Sequence, residues 1–424
     1  MKSHKTFDES SSVRITVSSV MRIIGLAVLI IQLALLAAAA PVEIPDEIRV
    51  LDVDVQLRVV SLAANSIQLI FSIVNSGRET YRILDTPTSI MSELPYVARK
   101  FHLRNKNQGK PNPKFRGVRV AWDAESAIEA KRFTTLQPRD NVIATYELYD
   151  YYDFSESGSG TYTLTLPPYI ELLDPSGRRF LARFSDQPKQ DIQVDNPRFS
   201  AAKQKAPTYT FTSNATTYAF RKCNGREQII TAAANRATQL RNIAVQNLQP
   251  PSPWSPLAIR WFGAFDLFRE RQIRYTYTQL SDNFAARYTY DCTCPSTFDQ
   301  FFVYAYAYLG RTDIFLCPWF FNQPGIGVTS RATTLLHEAT HIEISTEDYV
   351  YTRLICLILA WWSPRHAYMN ASSYEYYAED LAQLRFGSMI YGVLDMGRRA
   401  VVNWLHALVA YKCWWLQEGR LVML

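Results

Sequence analysis

The first half of the chain alternates apolar and polar positions over short stretches, a pattern typical of β-strands with one buried face. The alternation is clearest in four stretches, residues 53–59, 67–73, 118–120 and 162–166. Turn-forming residues separate such stretches, as at Asn75-Ser76-Gly77. Short strands with regular turn signals predict an all-β, sandwich-like domain, which we place at residues 41–190.

The hydrophobic period changes in the second half, where Ile229, Ala232, Ala233 and Leu240 fall on one face of a predicted helix. Three more helical stretches are predicted between residues 330 and 386. The halves are separated by a polar stretch that contains Lys and Pro, which is typical of a linker. We therefore predict a multidomain chain with a linker at residues 191–218 and a mainly α domain at residues 219–386.

An apolar run without charges, Ile23 to Ala40, lies near the N-terminus and ends in small residues before Pro41. We interpret residues 1–40 as a secretory signal peptide, since the alanines fit a signal peptidase site. A membrane anchor remains the alternative, because 18 apolar residues could just span a bilayer. Both interpretations deliver the rest of the chain to an oxidising compartment, where disulfides form.

The amino-acid composition excludes some classes of protein but does not indicate a particular function. With 48% hydrophobic and 20% charged residues among 424, the chain is neither disordered nor collagen-like. A net charge of +6 gives no reason to expect nucleic-acid binding. We expect protein or peptide partners as substrates and a monomer.

The sequence His337-Glu338-Ala339-Thr340-His341 is an HExxH motif in a chain with only six His. On a helix, the i, i+4 spacing brings both imidazoles to one face, where they can bind Zn²⁺. The apolar positions around the motif predict such a helix: Ala332, Leu335, Leu336, Ala339 and Ile342.

A catalytic zinc needs a third protein ligand. A metzincin site is excluded, because Ile344 and Glu347 stand where its Gly and third His belong. The remaining candidates are Glu375 on a later helix and a carboxylate of the segment 345–351.

Three ordered motifs give the second half a family resemblance. They are His337 to His341, then Thr346-Glu347-Asp348-Tyr349-Val350-Tyr351, then Asn370-Ala371-Ser372-Ser373-Tyr374-Glu375. Together they resemble the aspzincins, the family of deuterolysin and the fungal peptidyl-Lys metalloendopeptidases. Shorter matches extend the resemblance upstream, at residues 261–266, 290–294 and 315–317, so that it covers about residues 219–386. Residues 48–190 resemble the pro-region that precedes the protease in this family.

The resemblance implies a zincin-type fold and a role for each matching residue. His337, His341 and Asp348 would bind one Zn²⁺, and Glu338 would be the general base. Tyr351 matches a Tyr that supports the developing oxyanion, although a core aromatic is an equal alternative. The link between His341 and Asp348 is shorter than is usual in the family. Glu347 therefore stays open as an alternative ligand, although we favour Asp348.

Glu375 and Ser372 match the positions that line the pocket for the substrate Lys in the peptidyl-Lys enzymes. The family has Asp where this chain has Ser372. A single remaining carboxylate predicts a weaker preference for Lys. Ser372 to Glu375 also fits a capping box that would start the following helix.

The family spacing implies disulfides between Cys223 and Cys292 and between Cys294 and Cys317. Cys356 lies in an apolar helix and is predicted to be a buried thiol. The resemblance does not cover residues 387–424, which include Cys413. Two interpretations of that extension stay open, an amphipathic segment that contacts a membrane or a partner and the product of an erroneous gene model.

The resemblance and the apolar N-terminal segment lead us to expect a secreted zinc endopeptidase made as a precursor, with Lys preferred on the leaving side of the cut. One alternative is a deuterolysin-type protease of broader specificity. Another is a catalytically weakened interaction protein, suggested by Ser345, Thr352 and Ser372 at positions where the family has other residues.

Overall fold

The computed structural model describes residues 49–63, 66–92, 98–107, 109–174, 176–184, 189–195, 209–213, 216–249, 255–327 and 329–384. These residues belong to one compact unit, Asp46–Leu424. The predicted signal peptide, the extension at residues 387–424 and Cys413 lie outside the described residues.

The first half is β-rich, as its alternating pattern predicts. Its strands are β1 (Arg49–Leu51), β2 (Val53–Ala63), β3 (Ser66–Asn75), β4 (Tyr81–Leu84), β5 (His102–Asn105), β6 (Lys114–Phe115), β7 (Val118–Trp122), β8 (Phe133–Leu136), β9 (Asn141–Glu147), β10 (Tyr152–Asp153), β11 (Gly160–Thr165), β12 (Tyr169–Leu173), β13 (Arg179–Phe184) and β14 (Lys189–Val194). Two short helices interrupt them, α1 (Ala124–Glu129) and α2 (Leu148–Tyr151).

Three sheets of the first half share one hydrophobic core. Their strand orders are β1-β13-β12-β4-β8, β2-β3-β9 and β14-β11-β5. Burial alternates along β3 as the sequence predicts, so that Leu69, Phe71 and Ile73 are fully buried. Leu172 of the first sheet and Leu164 of the third belong to the same core.

The second half carries most of the helices. Its elements are β15 (Tyr209–Ser213), β16 (Thr216–Arg221), α3 (Glu227–Asn247), α4 (Pro256–Phe262), α5 (Leu267–Gln279), α6 (Phe284–Arg287), β17 (Thr289–Asp291), α7 (Ser296–Gln300), β18 (Val303–Tyr308), β19 (Asp313–Leu316), α8 (Pro318–Asn322), α9 (Arg331–Ile344), α10 (Arg353–Trp362), α11 (Pro364–Ala367) and α12 at residues 371–384. None of the helices described here is both long and apolar enough to cross a bilayer.

The predicted face of α3 is partly wrong. Ala233 and Leu240 are buried, but Ile229 and Ala232 are exposed, and Ile230 and Ala234 are buried in their place. The helix is rich in alanine on both faces, so that its sequence does not specify which face packs inward.

A six-stranded sheet joins the two halves. Its order is β15-β16-β17-β19-β18-β7, in which β16, β17 and β19 run parallel. β18 is antiparallel to β19, and β7 of the first half adds an antiparallel edge strand to β18. The first half therefore contributes a strand to the sheet next to the HExxH helix, which the sequence does not indicate.

The predicted linker contains more regular structure than expected. Strands β15 and β16 form a hairpin in the six-stranded sheet, within and just after the range 191–218. The part of the linker at residues 196–208 lies outside the described residues. A processing cut, which we predict between about residues 203 and 222, remains untested.

Both predicted disulfides are present, Cys223–Cys292 and Cys294–Cys317. They fix the ends of β16, β17 and β19 beside the site. Cys356 is a buried free thiol, as predicted.

Candidate active site

Helix α9 places the HExxH motif in the core. Ser330 caps its first turn by accepting a hydrogen bond from the backbone N–H of Thr333. The residues of the predicted stripe are buried, except for Ile342, which is half-buried. His337 and His341 lie on one face with their ring centroids 4.8 Å apart.

The segment that follows α9 places Asp348 next to His337 and His341. Helix α9 ends at Ser345, whose φ of 60° and ψ of 38° are left-handed. This is the position where the family has Gly, the residue that most readily adopts this conformation. The left-handed turn ends the helix, and Asp348 follows three residues later.

Asn370 holds the returning segment in place. Its side-chain oxygen accepts hydrogen bonds from the backbone N–H groups of Tyr349, at 2.9 Å, and Val350, at 3.1 Å. Glu347 also exchanges backbone hydrogen bonds with Met369 and Ala371. Asp348 is thus fixed by contacts on both sides along the chain.

Three buried ligand atoms converge at this point. The Oδ1 atom of Asp348 lies 3.0 Å from Nε2 of His337 and 3.2 Å from Nε2 of His341. None of the three atoms has a hydrogen-bond partner among the described residues. Nδ1 of His341 lies 2.9 Å from the carbonyl oxygen of Thr346, which can only accept, so that Nδ1 carries the ring proton.

The Nε2 atom of His341 then presents a lone pair toward a carboxylate oxygen. Two acceptors facing each other in a buried site need a cation between them. Two imidazole nitrogens and a carboxylate oxygen form a donor set that suits Zn²⁺. The residues present therefore fit a zinc ion, and Asp348 rather than Glu347 completes the cluster.

Glu338 lies beside this cluster and is fully buried. Its Oε1 atom accepts a hydrogen bond of 2.9 Å from the backbone N–H of Ala121, and its Oε2 atom has no partner among the described residues. Burial raises the pKa of Glu338 well above its ordinary range. A carboxylate in this setting is a strong proton acceptor.

The hydroxyl of Tyr351 is buried and has no hydrogen-bond partner in the described part of the chain. Its ring packs edge-on against Trp122 of β7, with centroids 5.4 Å apart. Burial raises the pKa of Tyr351 well above its ordinary value, so that the hydroxyl keeps its proton and can donate it. The position is compatible with both predicted roles, oxyanion support and core packing.

Ser372 and Glu375 contact the far side of His337. The Oγ atom of Ser372 lies 3.3 Å from Nδ1 of His337, and Oε1 of Glu375 lies 3.8 Å from the same nitrogen. The capping-box interpretation is wrong, because α12 already includes both residues and begins after Asn370. Glu375 is a buried carboxylate next to the cluster, and burial raises its pKa.

Glu347, the alternative ligand, points away from the cluster toward two arginines of the first half. Its Oε1 atom lies 2.5 Å from Nη1 of Arg99, and its Oε2 atom lies 2.6 Å from Nη2 of Arg119. The carboxylate is therefore neutralised by ion pairs and is not available to a metal.

Strand β7 lies across the site. The backbone N–H of Val120 donates to Oδ2 of Asp348 at 3.1 Å, next to the bond from Ala121 to Glu338. The sequence predicts a strand at residues 118–120, but it does not indicate that this strand lies across the site. It gives no signal for Arg99 or Arg119 as part of the site, whereas Asn370 belongs to the third motif.

Comparisons with known proteins agree with this geometry. A sequence model of the aspzincin family, described as lysine-specific metallo-endopeptidase, matches residues 255–379. A peptidyl-Lys metalloendopeptidase of Grifola frondosa is 28% identical over 323 residues, which are 74% of this chain and 88% of that protein. An extracellular protease of Aeromonas hydrophila is 23% identical over 77% of this chain and 92% of its own length.

A further relative matches only part of this chain. It is a peptidyl-Lys metalloendopeptidase of Pleurotus ostreatus, 32% identical over 160 residues, which are 37% of this chain and 92% of that protein. Identity at this level over nearly the whole relative, together with the HExxH helix and the converging Asp348, leads to one conclusion: the chain belongs to the aspzincin family of zinc metalloendopeptidases.

Proposed function

We propose that the protein is a secreted zinc endopeptidase, made as a precursor, that prefers Lys on the leaving side of the cleaved bond. The observation that carries the proposal is the convergence of His337, His341 and Asp348 on one point with Glu338 beside it. The two histidines and Asp348 would hold one Zn²⁺. Bound zinc polarises the substrate carbonyl and lowers the pKa of water toward about 7.

The chain's own residues perform the proton transfers. Glu338 takes a proton from the attacking water and passes it to the leaving amine, a role that its buried carboxylate and raised pKa favour. The Tyr351 hydroxyl donates a hydrogen bond to the oxyanion as it forms. Thr346 and Ser372 orient His341 and His337 through their Nδ1 atoms.

Replacing Glu338 by Gln tests these roles. We expect peptide cleavage to fall by about 10²–10⁴-fold, because general acid–base catalysis contributes about that much. Zinc content should stay near that of the unaltered protein, because Glu338 acts on water and not on the metal. Glu343→Gln, on the same helix and paired with Arg287, is the matched control. Unchanged turnover of Glu338→Gln would remove Glu338 from the mechanism.

The preference for Lys rests on the relatives named as peptidyl-Lys enzymes and on Glu375. A buried carboxylate beside the zinc ligands attracts an ammonium group that approaches the site. Ser372 supplies no second charge, so that we expect leakage to Arg and other residues. A broader, deuterolysin-type specificity is the second candidate, and Ser372 is the residue that favours it.

The precursor proposal rests on β7. In the intact chain its backbone N–H groups contact Glu338 and Asp348, and Trp122 covers Tyr351. A substrate cannot reach the same atoms while β7 lies there. We therefore propose that the first half keeps the protease inactive until the linker is cut. β7 is itself a poor substrate, because it has Ala121 at the position where a preferred substrate has Lys.

Secretion is supported by the apolar segment at residues 23–40 and by the extracellular relative from Aeromonas hydrophila. The two disulfides in the second half agree with an oxidising compartment. Retention of His337, Glu338, His341 and Asp348 together disfavours an inactive interaction protein.

A further inference from the structure

Strand β7 lies on β18 in the way an extended peptide adds to a sheet edge. It pairs antiparallel with β18, with Val120 opposite Tyr306 and Ala121 opposite Ala305. The backbone N–H groups of Val120 and Ala121 donate to the carboxylates of Asp348 and Glu338. The strand therefore shows how a backbone in this groove is aligned with the catalytic atoms.

The contacts fix the register of that alignment. Glu338 is the group that passes a proton to the leaving nitrogen, and the backbone nitrogen on its carboxylate is that of Ala121. The bond between Val120 and Ala121 thus occupies the place of a bond to be cleaved. Arg119 is then the second residue before that bond.

The side chain of Arg119 ends on Glu347. Its Nη2 atom lies 2.6 Å from Oε2 of Glu347, and its Nε donates to the carbonyl oxygen of Thr346 at 3.2 Å. The side chain is 1% exposed. A buried ion pair of this kind favours a cationic side chain over a neutral one.

Glu347 depends on the first half for its charge balance. Within the described residues its ion pairs are with Arg99 and Arg119, and both lie in the first half. When that half leaves, the carboxylate faces the groove without these guanidinium groups. A carboxylate that has lost its cationic partners attracts another cation, so that a basic side chain from a substrate would be favoured there.

We propose that Glu347 is a specificity-determining residue that binds an Arg side chain located two residues before the cleaved bond. The inference rests on the proposed function, because it takes Glu338 as the proton donor to the leaving amine. It gives a role to the one carboxylate of the motif that does not join the metal cluster.

Two fluorogenic peptides test the proposal. Both carry Val before and Lys after the scissile bond, and they differ only in the second residue before it, Arg or Met, which are similar in length. The enzyme is the full chain after its linker has been cut. We expect kcat/KM to be about tenfold or more higher for the Arg peptide, since a hydrogen-bonded charge contributes about this much.

Glu347→Gln should reduce the Arg-to-Met ratio to about one. The ratio is measured within each variant, so that a change in zinc content next to Asp348 cancels. The matched control is Glu270→Gln, a carboxylate on α5 paired with Arg274, which should keep the wild-type ratio.

Two results would overturn this inference and leave the proposed function intact. One is cleavage after Val in both peptides with equal kcat/KM, and the other is a preference for Arg that remains in Glu347→Gln. No cleavage of either Lys peptide would instead overturn the proposed function and this inference with it.

Discussion

The two halves of the molecule differ in how openly their sequences show their roles. The second half carries HExxH, Asp348 and Glu375 in motifs that can be read directly. The first half reads as alternating strands without catalytic residues, yet it supplies β7, Arg99 and Arg119 to the same site. A motif shows which residues do the chemistry, but not which segment lies against them.

Buried charges show the same contrast. In the second half the buried His337, His341 and Asp348 converge on one point with unpartnered atoms. In the first half the buried Lys100 donates to the carbonyl oxygen of Ser92 and lies over the ring of Tyr146, and burial lowers its pKa to about 7. A perturbed pKa alone therefore does not identify the functional site. The convergence of several unpartnered ligand atoms on one point does identify it.

The largest effect is expected for the ligand that closes the metal cluster. Asp348→Ala should weaken zinc binding by more than about 100-fold, beyond the loss typical of groups that only orient ligands. Glu347→Ala should change zinc affinity much less, because its carboxylate pairs with arginines. Chelator competition measures both affinities. The reverse order would transfer the ligand role to Glu347.

Much of this site could be predicted because its signals are local. The HExxH spacing, the stripe of α9 and the disulfides follow from neighbouring residues or family spacing. The edge pairing of β7 with β18 joins residues about 185 positions apart, and alternation specifies a strand but not its partner. The buried face of α3 cannot be predicted from its sequence, because alanines lie on both faces and tertiary packing determines which face is buried.

The contact of β7 with the general base can be weakened by one substitution. Ala121→Pro removes the N–H that donates to Glu338. We expect the intact chain to gain about tenfold in peptide cleavage, since a hydrogen bond to a charged group is lost. Ala121→Ser keeps the N–H and is the control. Equal activity of both variants would contradict a role for this contact in latency.

Specificity should respond to charge at the third motif. Glu375→Gln should remove most of the preference for Lys after the cut, and Ser372→Asp should sharpen it against Arg and neutral residues. Mass spectrometry of cleaved peptide mixtures measures the preference, and zinc content is measured alongside because both residues contact His337. An enzyme that cuts before apolar residues as readily as before Lys would contradict the assignment of Glu375.

The smallest effect is expected at the end of α9. Ser345 has a left-handed backbone, with φ of 60°, where Gly is preferred. Ser345→Gly should stabilise the fold by up to about 1 kcal/mol, because the strain of a Cβ in this conformation is removed. Thermal unfolding measures the change. A clear loss of stability would show that the Ser side chain matters more than the turn.

We infer above all that the first half fills the active site of the second. The most direct test is the rate of peptide cleavage by one preparation of the full chain, before and after trypsin cuts the linker at Lys203 or Lys205 and is then inhibited. We expect the rate to rise at least about tenfold, because contacts to two buried carboxylates are released. The same treatment of Glu338→Gln should give no rise. An uncut chain as active as the cut one would contradict the claim and make the first half an accessory domain.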